Sequence, residues 1–226
     1  MFLQRTLLML MAFAAALPVT AAAPADDAKP ALTVDKQKKT VSIACKIAPR
    51  KLENLTEIYP IEVIACWPAP KGKKAHETVV TFDVKPSDIH KALESLSLTP
   101  GKPAVGEGQS AKGAEVKIYL EVPAPGGVVR RVPIEKTLVD RKTGKTLPTI
   151  KWLFTGSAMT QPDPNKDEKV YGADLTGTLI AIFPVTAETV IQTSLTMAEE
   201  PLIKMETNTK VLPPIGTDVT LVIAKP

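Results

Sequence analysis

Glu115-Val116-Lys117-Ile118-Tyr119-Leu120-Glu121-Val122 decides the fold class. Val116, Ile118, Leu120 and Val122 fall on one face, and Glu115, Lys117, Tyr119 and Glu121 on the other. A period of two is that of a strand with one dry face and one wet face. The turn Pro125-Gly126-Gly127 follows, then the β-branched run Val128 to Val132, so the two runs read as a hairpin. The same texture extends in both directions. Short apolar runs at 41–47, 58–66, 78–84, 136–139, 149–154, 178–183, 190–195 and 219–223 are separated by turn residues. In the run from Thr78, Phe82 and Val84 share the inward face with Val80.

Only one helix is expected. Pro86-Ser87-Asp88 supplies a first-turn proline and an acid at the positive helix end, and Ile89, Leu93 and Leu96 recur at helical spacing. His90, next to Ile89, is expected to face solvent. Ten or so strands and one helix predict an all-β domain. An immunoglobulin-like β-sandwich with one short helix is the first choice, and a β-rich α+β fold the alternative.

The composition agrees. Of 226 residues, 21 are Pro and 12 are Gly, which disfavours long helices. The chain is 44% hydrophobic and 23% charged, enough apolar content for a core and too little charge for wholesale disorder. The formal net charge of +4 is mild and mixed in sign, which argues against a nucleic-acid surface. Lys36-Gln37-Lys38-Lys39 and Lys71-Gly72-Lys73-Lys74 read as turn or edge lysines.

The N-terminus reads as an export signal. Arg5 precedes an uncharged run from Leu7 to Leu17, Pro18 breaks it, and Val19-Thr20-Ala21 offers a small-residue cleavage site. Eleven helical residues rise about 16 Å, short of the roughly 30 Å of a bilayer core. No Cys follows the run for a lipid anchor. The expected organisation is a cleaved signal at 1–21, a flexible arm at 22–33 and a single β-rich domain at 34–226. The mature chain is expected to have no transmembrane segment and to sit in the periplasm or at the cell surface of a Gram-negative-type bacterium. Export into an oxidising compartment predicts a Cys45–Cys66 disulfide between neighbouring strands, worth about 3 kcal/mol in loop entropy.

Few residues carry chemistry. His76-Glu77, with Glu62, can form a proton relay, against the plainer reading of hydrogen bonding in a turn. No Ser-x-Gly nucleophile elbow and no His-x-x-x-His is present. Asp163, Asn165 and Asp167, with Asp174 at the twelfth position, have the spacing of a calcium loop. Glu168 stands where that loop needs Gly, and Lys166 and Lys169 oppose a cation, so a surface loop is the stronger reading. Trp152, Phe154 and Ser157 offer an aromatic shelf for a glycan or peptide, against a core role for the rings. No motif calls for a cofactor.

Glu62, Lys74-Ala75-His76-Glu77-Thr78, Lys85-Pro86-Ser87-Asp88-Ile89-His90-Lys91-Ala92-Leu93 and Trp152-Leu153-Phe154-Thr155-Gly156-Ser157 together resemble the YdjY-domain family of exported bacterial envelope proteins. The resemblance covers roughly residues 34 to 224. Ser95-Leu96-Ser97 departs from the Leu-Leu-Gly common in that family. The resemblance implies envelope location and a β-rich domain, and brings no mechanism. The function expected is therefore a non-enzymatic envelope binding or assembly module, with adhesion or pilus machinery as a setting by analogy. Its partners would be envelope or surface proteins. The alternatives are a hydrolase or metal-dependent enzyme centred on His76 and Glu77, and a glycan- or peptide-binding module.

Overall fold

The computed structural model describes residues 30–226. The expected signal and most of the expected arm lie outside the described residues. In chain order the elements are β1 (Leu32–Asp35), β2 (Thr40–Ile47), β3 (Val63–Cys66), β4 (Thr78–Thr81), α1 (Pro86–Glu94), β5 (Ala114–Pro123), β6 (Val129–Pro133), β7 (Leu138–Asp140), β8 (Trp152–Phe154), β9 (Met159–Thr160), β10 (Val170–Tyr171), α2 (Ala173–Thr176), β11 (Thr178–Ala181), β12 (Ile191–Thr193), β13 (Met205–Thr207) and β14 (Asp218–Ala224).

Two strands close the main sheet by changing partners along one edge. β2 keeps β14 on one side throughout. On its other side it pairs with β1 over Thr40–Ile43 and with β4 at Lys46 and Ile47. β5 keeps β14 on one side, and on the other pairs with β8 over Ala114–Val116 and with β6 over Tyr119–Pro123. The order β2-β14-β5-β8-β12-β11-β3-β4 therefore returns to β2 as an eight-stranded closed barrel, with β1 and β6 as flaps. β11 pairs β12 and β3 pairs β4 in parallel, and the other barrel pairings are antiparallel.

This corrects the expected immunoglobulin-like sandwich. The fold is a barrel with two short helices, closer to the β-rich α+β alternative. Alternation reports which face of a strand is dry. Two facing sheets and one sheet rolled on itself satisfy it equally. An eight-stranded barrel is just wide enough to be filled by side chains. Here Val41, Ile43, Ile47, Val116, Ile118, Leu120, Trp152, Phe154, Ile191, Leu221 and Ile223 fill it, all nearly inaccessible to solvent.

The two ends are closed differently. At one end β4 leads into α1, whose Ile89 and Leu93 are fully buried, and α2 leads into β11. Lys85 holds the extended conformation that a following proline favours, and Pro86 opens the helix as expected. The His90 ring packs edge-on against Phe154, the last residue of β8, at 4.9 Å. At the opposite end, Ile134 and Leu138 and the β7–β13 ribbon with Met205 cover the opening.

The cysteines are both free and buried, so the expected disulfide is not formed. Register gives the reason. Cys66 pairs with Thr81, and Thr81 with Lys46, so these three share a row on the outside of the wall. Cys45 is adjacent to Lys46 in sequence and so points to the inside. Burial pushes the Cys45 thiol up to about 12 and raises that of Cys66, so both stay protonated.

Candidate functional site

The parallel pairing of β3 and β4 sets Val63 beside Thr78. The residues just before them, Glu62 and Glu77, therefore lie side by side, and the Glu62 N–H donates to the Glu77 carbonyl at 3.2 Å. Two adjacent carboxylates repel unless something neutralises them. Lys74 does so. Its Nζ donates to Glu77 Oε2 at 2.7 Å and to Glu62 Oε2 at 3.0 Å. Burial lowers the Lys74 pKa, but the hydrogen bonds to Glu77 and Glu62 outweigh it and the net shift is upward. His76 Nε2 sits 3.1 Å from Glu77 Oε1, and its imidazole meets the Tyr59 ring edge-on at 5.3 Å. The three residues singled out in sequence thus come together, joined by Lys74, which reads in sequence as one of a run of turn lysines.

Local structure explains where Lys74 sits. A Cβ on Gly72 would lie 1.9 Å from the Trp67 carbonyl oxygen, so only glycine lets the loop after β3 lie this close to it. The loop then turns into a 3-10 turn over Ala75–Glu77, which carries His76 to the rim and Glu77 inward.

A second ionic cluster braces this one. Arg50 Nη1 donates to the His76 carbonyl at 3.1 Å, Nη2 to the Tyr59 carbonyl at 2.5 Å, and Nε to Glu206 Oε1 at 2.5 Å. Arg141 donates to Glu206 Oε2 at 2.7 Å. Burial alone would raise the Glu206 carboxyl, but the hydrogen bonds from Arg50 and Arg141 win and hold it at about 2. Arg50 and Glu206 are 156 positions apart, and no sequence signal joins them.

Beside His76 runs an open groove of about 620 Å³, whose lining includes Leu52, Glu53, Asn54, Leu55, Pro70, Lys73 and His76. The His76 side chain is 26% exposed, while Glu77 is buried behind it.

At the helical end a different polar group assembles. Tyr171 on β10 meets His90 Nδ1 at 2.7 Å, and its oxygen accepts the Ser157 N–H at 3.1 Å. Burial raises the Tyr171 phenol, so it keeps its proton. The expected exposure of His90 is thus corrected: Phe154 and Tyr171 enclose its ring. Ser157 Oγ accepts the Ala173 N–H and donates to the Ala158 carbonyl, so it is spent on backbone. Trp152 and Phe154 are 1% and 0% exposed, and form no surface shelf. Trp152 Nε1 donates to Glu135 at 2.8 Å, which satisfies its one donor. The rings share a row with Val116, Ile191 and Thr193, all inside the wall.

The other oxygen ligands serve local structure. Asp163 Oδ1 accepts the Asn165 N–H in a surface turn. Asp174 Oδ1 accepts the Ser87 N–H at the start of α1. Among the described residues no group of three or more His, Cys, Asp or Glu is placed to hold a metal ion. Between Glu62 and Glu77, the Lys74 ammonium stands where a cation would go. No helix among them is long and apolar enough to cross a membrane.

These observations define a class: a small closed barrel whose interior is filled, with a helix over one end and a charged, grooved surface at the other. The family described as the YdjY domain matches residues 32–224, and the chain belongs to it. No curated protein and no solved structure matches the chain.

Proposed function

We propose that this YdjY-domain protein is an exported envelope protein that works by binding, taking a peptide segment of a partner in the groove beside His76. One observation carries the reading. The groove has apolar walls from Leu52, Leu55 and Pro70, with the polar groups of Glu53, Asn54, Lys73 and His76 among them. That mixture suits a peptide, whose side chains need apolar contact and whose backbone needs donors and acceptors. The carboxylates behind His76 are bound to Lys74 and hold the site in shape, leaving neither as a free base.

The test is a selection of random peptides on the purified domain. Selected peptides are expected to bind the wild type and to lose binding to His76→Ala and Leu55→Asp. Peptides indifferent to both substitutions would break the reading. The His76–Glu77 contact favours hydrolysis as a second reading. Turnover of an activated ester by the wild type, abolished in both His76→Ala and Glu77→Gln, would establish it in place of binding.

A further inference from the structure

We propose that the free edge of β6 receives an acidic, extended segment of a partner protein as an added strand. This surface is separate from the groove at His76 and stands without it. Among the described residues β6 pairs with β5 and with no other strand. The register and the turn fix which groups are left over. The Ala124 N–H donates to the Val128 carbonyl at the mouth of the hairpin. Bonded pairs alternate along an antiparallel ladder. Arg130 and Val132 therefore face β5, while the N–H and C=O groups of Val129 and Arg131 face away. No backbone hydrogen bond among the described residues takes them up. Pro133 occupies the next outward position and, lacking an N–H, ends the usable edge.

The side chains beside this edge indicate its partner. Val128 and Val129 are each 61% exposed, so apolar surface flanks the unpaired groups. The strand Val129-Arg130-Arg131-Val132-Pro133 carries two arginines and no acid. Arg131 is paired with Glu121 at 2.7 Å. Arg130 donates to the Val211 carbonyl and has no carboxylate within ion-pair distance among the described residues. A second copy paired edge to edge would set arginines against arginines, which is destabilising. An acidic strand would instead supply the charge that Arg130 lacks and cover Val129. Strand addition takes its affinity from main-chain hydrogen bonds and its selectivity from side chains beside the edge.

The probe is the peptide acetyl-Thr-Glu-Val-Glu-Thr-Glu-Val-amide, titrated into the isotopically labelled full domain, with a version carrying Lys for Glu as control. The acidic peptide is expected to shift the Val129 and Arg131 amides and slow their hydrogen exchange, and the basic one to leave them unmoved. Val129→Pro removes an outward N–H and part of an exposed side chain, and no bond to β5. Val128 before it is already extended, at φ −77° and ψ 144°, as a residue preceding proline requires. That variant is expected to melt like the wild type and to lose the peptide. Arg130→Glu is expected to weaken it severalfold and remove its salt dependence. No amide shift into the millimolar range, or shifts confined to the groove at His76, would overturn the proposal. So would a domain that dimerises alone and becomes monomeric with Val129→Pro, since the edge would then belong to a second copy.

Discussion

The two ends of the barrel use opposite means of closure. At the helical end, α1 lays Ile89 and Leu93 into the opening and its His90 against Phe154, with a Tyr171–His90 hydrogen bond as the polar tie. At the ribbon end, charged groups join the loops: Lys74 with Glu62 and Glu77, and Glu206 with Arg50 and Arg141. Apolar closure resists pH and salt, whereas ionic closure responds to both. The difference places stability at one end and exposed chemistry at the other. The groove that carries the functional proposal lies at the ionic end.

The largest expected effect is at the helical end. Phe154→Ala empties a fully buried ring site between the barrel interior and His90, and should cost about 4 kcal/mol in urea unfolding. The loss should depend little on salt, because the deleted ring carries no charge. A cost below about 1 kcal/mol would show that the helix does not seal this end by packing.

Glu206 is the counterpart at the ribbon end. Its folded pKa of about 2 lies below the ordinary 4.5. The stabilisation is thus fully present above about pH 4.5 and is lost as pH falls towards 2. Partial exposure lets solvent screen the pair, so Glu206→Gln should cost about 2 kcal/mol at neutral pH. The variant should also lose less stability than the wild type between pH 4.5 and 2. Parallel curves for the two proteins would mean that Arg50 and Arg141 do not hold the loops through this carboxylate.

The ends also differ in how far sequence reveals them. Alternation in Glu115 to Val122 reports a strand and its dry face, and Pro86-Ser87-Asp88 reports the start of α1. Those are local properties, and the structure has both. Closure depends on β2 and β5 each changing partner midway, which alternation does not record. The same gap accounts for the cysteines: the expected compartment and the spacing favour a bond, but only register shows that Cys45 faces in and Cys66 out. Trp152 and Phe154 sit in a three-residue strand, too short to show a period, and the turn beside them invites a surface reading. His76, Glu77 and Glu62 stand out because they are polar residues at strand starts. Lys74 does not, because it sits among other lysines, and Glu206 does not, because its partners come from distant loops.

Gly156 tests the helical end with less force. Its φ of +65° lies in the left-handed region, and a Cβ there would meet Pro100 Cβ at 3.1 Å and His90 Cε1 at 3.2 Å. Gly156→Ala should cost about 1.5 kcal/mol from backbone strain alone. The added methyl should also push His90 outward, seen as a changed ring-proton shift. An unmoved His90 signal would mean that the turn, and not α1, absorbs the strain.

The smallest effect separates packing from hydrogen bonding at that end. Tyr171→Phe keeps the ring and deletes the oxygen that serves His90 Nδ1 and the Ser157 N–H. A net cost of about 1 kcal/mol is expected for losing the hydrogen bonds of this hydroxyl, less than the loss at Glu206. Because the phenol stays protonated, the cost should be flat from pH 7 to about pH 9, below the ordinary tyrosine range. A cost near that of Phe154→Ala would reverse the contrast between the ends. The helix would then be held mainly by its polar tie, and the helical end would have to be counted, like the ribbon end, as a place where a ligand competing for hydrogen bonds can open the barrel.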